Sequence, residues 1–267
     1  MYKRQVQGGA LNSQSANIAN TSGNGRSTVN AGGIVQVQGG ALNSQNLNVG
    51  NASGNSSSNV NSGAIVQVQG GALQSQNLNV GNASGNGQAS FTGNVVQVQG
   101  GALQSQNLNV GNASGNGRSN VNLGNVIQVQ AGALQSQNMN IGNTSGNGRA
   151  NVNIGTVLQV QGGALNSQNM NIGNASGNGT SNVNARSVVQ VQGGALNDQN
   201  MNVGNSSNGT TNVSAGNIVQ TQGGFLNSGS VNVGNNGGGG TNNVSVGDVV
   251  QSQGGFLNSG SVNIGNR

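Results

Sequence analysis

One phrase recurs through the chain at nearly constant spacing. It reads Gln-Val-Gln-Gly-Gly-Ala-Leu, with Ala131 replacing the first Gly in one copy and with variants in the last two copies. Successive copies begin 30 or 31 residues apart. Equal spacing is typical of stacked identical units, because an insertion would have to loop out of the stack. Residues 5–267 are therefore a single repeat array, with repeats starting at Gln5, Gln36, Gln67, Gln97, Gln128, Gln159, Gln190, Gln220 and Gln251.

The first half of a repeat alternates between polar and apolar residues. Ser119–Gln130 reads SNVNLGNVIQVQ. In this stretch Val121 and Leu123 share one parity, and Ile127 and Val129 continue it. A period of two residues predicts a strand with one buried face. These four side chains are therefore expected to point into a common core.

A second alternating stretch follows the Gly pair. Leu134–Asn143 reads LQSQNMNIGN, which places Met139 and Ile141 on one face, and Thr144–Gly148 (TSGNG) is a turn cluster. No window keeps a 3.6-residue period, so helix is not indicated. Each repeat is predicted to be a strand, a Gly turn, a second strand and a Gly/Ser/Asn turn.

One such unit cannot bury its own apolar face, whereas stacked copies can. The predicted fold is all-β: a parallel β-solenoid with one coil per repeat and about 4.8 Å between coils. Two cross-sections fit the sequence. A corner at Gly124-Asn125 would give a three-sided prism, and a continuous strand would give a two-sided arch. The unbroken parity through Asn125 favours the arch.

Polar residues recur at the same repeat positions as the apolar ones. Asn107, Asn109, Gln97 and Gln99 each have an equivalent residue 31 positions further on. Stacked amides can hydrogen-bond along the axis, as in amyloid. Such structural ladders would allow a chain with only 31% hydrophobic residues to fold.

The composition argues against an enzyme and against a cofactor. The chain has no Cys and no His, and its only Asp/Glu residues are Asp198 and Asp248. The commonest general base, the thiolate nucleophile and the usual metal ligands are therefore missing. We expect no catalytic residues, no bound cofactor and no metal site.

The basic residues do not form a nucleic-acid footprint. Arg26, Arg118, Arg149 and Arg186 are spread over 160 residues and aromatic residues make up 1% of the chain, whereas nucleic-acid binding needs clustered charge or stacking rings. No apolar run exceeds three residues, so no membrane-spanning segment is expected.

The first residues match no other repeat. A GTG start codon followed by TATAAGAGACAG would encode Met1-Tyr2-Lys3-Arg4-Gln5, and that string looks like the end of a transposon adapter used in sequencing libraries. Residues 1–4 are therefore predicted to be an assembly artefact.

The repeats resemble those of curlin-type bacterial functional amyloids. The shared sequence pattern is an alternating strand, a Gln-bearing Gly turn and a second alternating strand. In this chain it is seen in Ile65–Gln74 (IVQVQGGALQ), continuing to Asn82. The repeats are longer than curlin repeats and lack their aromatic residues. A second resemblance is to haemagglutinin-type repeats of secreted adhesins, in which phrases like Gly39–Ser44 (GGALNS) recur.

Both resemblances imply a secreted bacterial protein located outside the cell or at its surface. The curlin resemblance implies a self-assembling subunit of amyloid-like fibres in a biofilm matrix or in surface adhesion. Its partners would be further copies stacked end to end, with a secretion pore or a nucleator protein. The alternative is the β-solenoid stalk of a secreted adhesin.

Overall fold

The computed structural model describes residues 2–265, and these residues form strands and turns without a helix. The strands are β1 Tyr2–Gly8, β2 Leu11–Ile18, β3 Arg26–Ala31, β4 Gly33–Gly39, β5 Leu42–Val49, β6 Ser57–Val80, β7 Gln88–Val110, β8 Arg118–Ile141, β9 Arg149–Ile172, β10 Ala175–Ser176, β11 Thr180–Val203, β12 Ser206–Ser207, β13 Thr210–Val233, β14 Thr241–Val246, β15 Val249–Gly255 and β16 Asn258–Ile264.

Each coil pairs in parallel with its counterpart one repeat along the chain. In the pairing of β8 with β9, Val121 stands opposite Val152 and Gln128 opposite Gln159. The same 30- or 31-residue offset relates the long strands β6, β7, β8, β9, β11 and β13. The predicted parallel β-solenoid with one coil per repeat is confirmed.

The two 30-residue spacings lose their residue where the chain turns. One register shift falls beside Gly93, at a corner of the coil. The other lies between Val203 and Thr210, in a turn that holds Asn208 with a φ of 64°. The ladders on either side of both deletions remain in register, because a turn can lose a residue without moving the strands.

The coil is a three-sided prism, so the expected arch is wrong. Gly124 and Asn125 are consecutive exposed residues in the middle of β8. Two exposed neighbours reverse the alternation, so the parity that points inward before this corner points outward after it. The inward residues of the coil are Ser119, Val121, Leu123, Val126, Gln128, Gln130, Gln135, Gln137, Met139 and Ile141.

Ile127 and Val129 consequently differ from their expected position. They lie half-buried on the outside of the second side, while Val126 and two glutamines occupy its inside. Val121 and Leu123 are buried in the apolar core as expected. The prediction from the alternation failed here because the second side carries aliphatic residues on both its inner and its outer face.

The apolar core lies between the first and third sides and runs along the solenoid. Met139 and Ile141 of the third side are fully buried and belong to the same cluster as Val121. Leu108 and Met170 stack on either side of Met139 in the neighbouring coils. One continuous core therefore connects the coils, as expected when single repeats cannot bury their own apolar face.

A left-handed residue closes the third side of each coil, and it is a glycine in every coil except the first, where Ala19 has a φ of 54°. Gly142 has a φ of +63°, and an added Cβ would lie 2.9 Å from Val152 Cγ2 and 3.0 Å from Val183 Cγ2. A side chain here would be strained in its backbone and would collide with the core. The turn therefore brings the chain back close to the first side.

β1 extends the first coil to Tyr2 but departs from the repeat pattern. Lys3 stands opposite Ile34 and Arg4 opposite Val35. The other coils carry an aliphatic residue at the Ile34 position. Met1 lies outside the described residues, and the adapter origin of residues 1–4 stays a prediction.

Candidate assembly site

Buried glutamines form hydrogen-bonded columns inside the second side. Gln128 Nε2 donates to Gln97 Oε1 at 2.8 Å, and Gln159 Nε2 donates to Gln128 Oε1 at 2.8 Å. In the neighbouring column Gln130 Nε2 donates to Gln99 Oε1 at 2.7 Å. These side chains are almost wholly shielded from solvent. Every rung satisfies an amide that would otherwise be buried at a cost of about 1–3 kcal/mol.

A third glutamine column faces these two from the third side. Gln137 Nε2 donates to Gln106 Oε1 at 2.9 Å, and both residues are fully buried. This column was not among the ladders expected from the sequence. The alternation could have predicted it, because Gln137 lies an even number of residues from Met139 and Ile141 and therefore points inward with them. Gln161 Nε2 also donates to the Ser167 carbonyl at 3.2 Å, which links the second and third sides.

Asparagine columns cover the outside of the third side. Asn138 Nδ2 donates to Asn107 Oδ1 at 3.1 Å, and Asn140 Nδ2 donates to Asn109 Oδ1 at 3.0 Å. These residues are half-buried. The ladder positions expected for Asn107 and Asn109 are thus on the outer surface, whereas Gln97 and Gln99 lie inside.

Another ladder is formed by Asn143 and its equivalents, which from Asn20 to Asn205 stand two residues before a Ser or Thr, as in an N-glycosylation sequon. The Asn143 backbone N–H donates to Asn112 Oδ1 at 2.9 Å, and Asn143 Nδ2 donates to the Asn171 carbonyl at 3.0 Å. Asn174 Nδ2 donates to Asn143 Oδ1 at 3.2 Å. Because the amide is engaged in the stack, a glycan on the Nδ2 of Asn143 would break it.

The glutamine ladders have a direction. Each Nε2 in these columns donates to the Oε1 of the preceding coil, from Gln36 onto Gln5 to Gln251 onto Gln220. The first coil therefore presents amide N–H groups outward along the axis, and the last coil presents the Oε1 atoms of Gln251 and Gln253. The two ends of the ladders are chemically complementary.

The last described coil also exposes the end of the core. Val262 is 43% exposed and Ile264 is 52% exposed, whereas Val231 and Val233, one coil earlier, are fully buried. Strands β15 and β16 pair on one edge with β13. This end therefore combines backbone groups along its outer edge with apolar side chains that another coil could cover.

One outer face of the prism is apolar. We call it the valine face: two columns of outward side chains on the second side, running from Val35 through Ile127 to Val219 and from Val37 through Val129 to Thr221. They are half-buried, because their neighbours along the column cover part of each side chain. A separate column of leucines at the start of the third side is 37–42% exposed from Leu42 to Leu226.

Charged residues form no cluster in the described residues. Arg118 and Arg149 are neighbours in adjacent coils, but Arg26 lies three coils away from Arg118. Asp198 and Asp248 are exposed. Among residues 2–265 there is no group of three or more His, Cys, Asp or Glu side chains that could hold a metal ion. The same residues include no helix long and apolar enough to cross a membrane.

Comparison of the chain with protein-family models, with curated proteins and with solved structures finds no match. The curlin-type and haemagglutinin-type resemblances therefore stay predictions, and the chemistry of the two ends is the basis for assigning a role.

Proposed function

We propose that this protein is an extracellular structural protein whose copies stack end to end into amyloid-like fibres. The observation that supports this most directly is the direction of the glutamine ladders. One end offers amide donors and the other offers amide acceptors, so each end is a template for the opposite end of another copy.

Two of the three glutamine columns match between the two terminal coils, whereas the third carries Gln14 in the first coil but Gly229 and Gly260 in the last two. A second copy whose Gln5 continues the column of Gln251 would place its Gln7 over Gln253. Its Gln5 Nε2 would then donate to the Gln251 Oε1, as every Gln in the column does within one chain. The junction would repeat these two glutamine contacts as they occur between coils inside the chain.

Two apolar columns of the third side match in the same way, whereas Lys3 would lie over Val249 on the second side. In that register Ala16 and Ile18 of the incoming copy would lie over Val262 and Ile264. Covering these partly exposed side chains stabilises the junction by about 25 cal/mol per Å² of apolar surface removed from water. Unpaired strand edges add backbone hydrogen bonds. Secretion from a bacterial cell is part of the proposal and is supported by the resemblance to curlin-type repeats.

The test is to place charge on one end of the full chain. A Val262→Lys/Ile264→Lys variant carries two ammonium groups on the inward positions of β16, where a second copy would bury them. The matched control is Ser259→Lys/Ser261→Lys, which puts the same charge on exposed outward positions of the same strand without removing an amide of the asparagine ladder.

We expect the inward variant to lose fibre elongation, measured by thioflavin fluorescence and electron microscopy, while the control elongates at close to the wild-type rate. Circular dichroism of both variants checks that the other coils fold. Equal elongation of the two variants would refute end-to-end stacking.

A second candidate is the stalk of a secreted adhesin, and a feature of the C-terminal coils favours it. Phe225 and Phe256 replace the Ala found in earlier coils, and their rings stack at 5.5 Å with an interplanar angle of 9°. A distinct, exposed aromatic end suits attachment to another folded unit. Stable monomeric rods at every concentration would support the stalk against the fibre.

A further inference from the structure

On the valine face both outward columns are aliphatic. On the other two sides the outward positions carry amide ladders, such as Asn151 on Asn120 at 2.9 Å and Asn138 on Asn107 at 3.1 Å, together with the single column of leucines at the start of the third side. On the valine face the corresponding positions, such as Ile127 and Val129, are aliphatic from coil to coil. This chain has few apolar residues, yet it places them outside in every coil.

The valine face carries no charge between Val35 and Thr221, although Arg4 continues its first column one coil before Val35. Between Val35 and Thr221 its two columns consist of Val, Ile and Leu, and a single Thr ends the second column. Side chains on a parallel sheet stand in rows with a constant step, so the surface repeats regularly along the axis. Uncharged β-sheet faces with β-branched side chains are the elements of dry interfaces between paired sheets.

The geometry points to a second copy of this chain as the occupant: we propose that two solenoids pack valine face to valine face. A ligand that contacts this face along its whole length must repeat at the coil spacing, about 4.8 Å. A second copy has that repeat by construction. The contact would be isologous, with the same columns on both partners.

The area explains when such pairing becomes stable. Seven coils span about 34 Å along the axis, and a five-residue strand spans about 17 Å, so the face measures roughly 550 Å². A pair would bury roughly 1,100 Å² in total, at the lower end of the range for specific interfaces. Single rods would thus pair weakly. If copies also stack end to end, as proposed above, the buried area grows with the length of the fibre and the pairing becomes stable.

The test compares two fourfold variants of the full chain. The first carries Val68→Thr, Val98→Thr, Val129→Thr and Val160→Thr on the valine face. Thr221 already occupies this column, so the fold accepts Thr there. The matched control carries Leu73→Thr, Leu103→Thr, Leu134→Thr and Leu165→Thr, which removes aliphatic side chains that are more exposed, at 39–42%, from a different face.

The readout is mass per unit length of fibres by scanning transmission electron microscopy. The wild-type protein and the leucine control should give two solenoids per cross-section, and the valine variant should give half that mass per length while it still elongates. Wild-type fibres one solenoid thick, or valine-variant fibres of wild-type thickness, would overturn the pairing.

If no fibres form, the end-to-end proposal fails, and face pairing is tested on the rods themselves. Sedimentation equilibrium over a concentration series should then show a weak wild-type dimer that is retained in the leucine control and lost in the valine variant. A wild-type protein that stays monomeric at about 1 mM, the range of weak protein association, would overturn the inference.

Discussion

Gly163 lies directly against the backbone of the preceding coil: a Cβ added to it would stand 1.6 Å from the carbonyl oxygen of Gly132. No real side chain tolerates that distance. The neighbouring Gly162 is different, since an added Cβ would meet nothing within 4 Å. In the coil before, Ala131 already occupies the position equivalent to Gly162. The two glycines of the recurring pair therefore have different roles.

This difference predicts opposite outcomes for two alanine substitutions. Gly163→Ala should lower the free energy of unfolding by about 2–4 kcal/mol, because the corner must move away from the coil beneath it. Gly162→Ala should change it by less than about 0.5 kcal/mol. Urea denaturation followed by circular dichroism measures both, and similar stabilities of the two variants would contradict the close approach.

The buried glutamine ladder predicts a pH-sensitive variant. Gln128→Glu replaces the Nε2 that donates to Gln97 Oε1 with an oxygen that donates only when protonated. Burial should raise the pKa of the new carboxyl above its ordinary value of about 4.3. The folded state then holds a proton that the unfolded state releases, so stability falls as the pH rises from 4 to 8.

Asn122→Asp is the matched control for that variant. Asn122 is exposed on the first side and accepts a hydrogen bond from Asn153 Nδ2 at 3.3 Å, which a carboxylate can also accept. Thermal unfolding at pH 4 and pH 8 should show a loss of about 2–4 kcal/mol at high pH for Gln128→Glu and little change for Asn122→Asp. A loss that does not depend on pH would mean that the Gln128 position is hydrated.

The apolar core column predicts that the free energy of unfolding depends much more on inward side chains than on outward ones. Met139 is fully buried between Leu108 and Met170, whereas Leu134 is 41% exposed. Met139→Ala should cost about 2–5 kcal/mol through lost burial and a cavity, and Leu134→Ala about 1 kcal/mol or less. Urea midpoints measure the difference, and equal midpoints would contradict the assignment of the two faces.

Equal repeat length was sufficient to predict the parallel solenoid, because a constant offset leaves one register. Alternation also placed Val121 and Met139 inside. It failed for Ile127 and Val129, because the second side has an inverted pattern with glutamines inside and aliphatic residues outside. Hydrophobicity alone cannot show whether the aliphatic or the amide side chains of a strand face inward, because stacked amides satisfy each other's hydrogen bonds when buried. The exposed pair Gly124-Asn125 was the signal that the chain turns there.

The candidate assembly site was only partly predictable. The repeat showed that amide ladders would form and that Gln97 and Gln99 would take part. It did not show the direction of the ladders, since donor and acceptor order depends on how each amide is oriented along the axis. The valine face could not be predicted either, because its residues, such as Ile127 and Val129, were expected in the core.

The central claim is that copies of this solenoid stack end to end, and one measurement tests it most directly. The full chain is diluted from denaturant, imaged by electron microscopy over time, and examined by fibre diffraction on the same sample. End-to-end stacking predicts unbranched fibres that lengthen with time and a meridional reflection near ~4.7 Å, the spacing between coils. Short rods of constant length at all concentrations would contradict it.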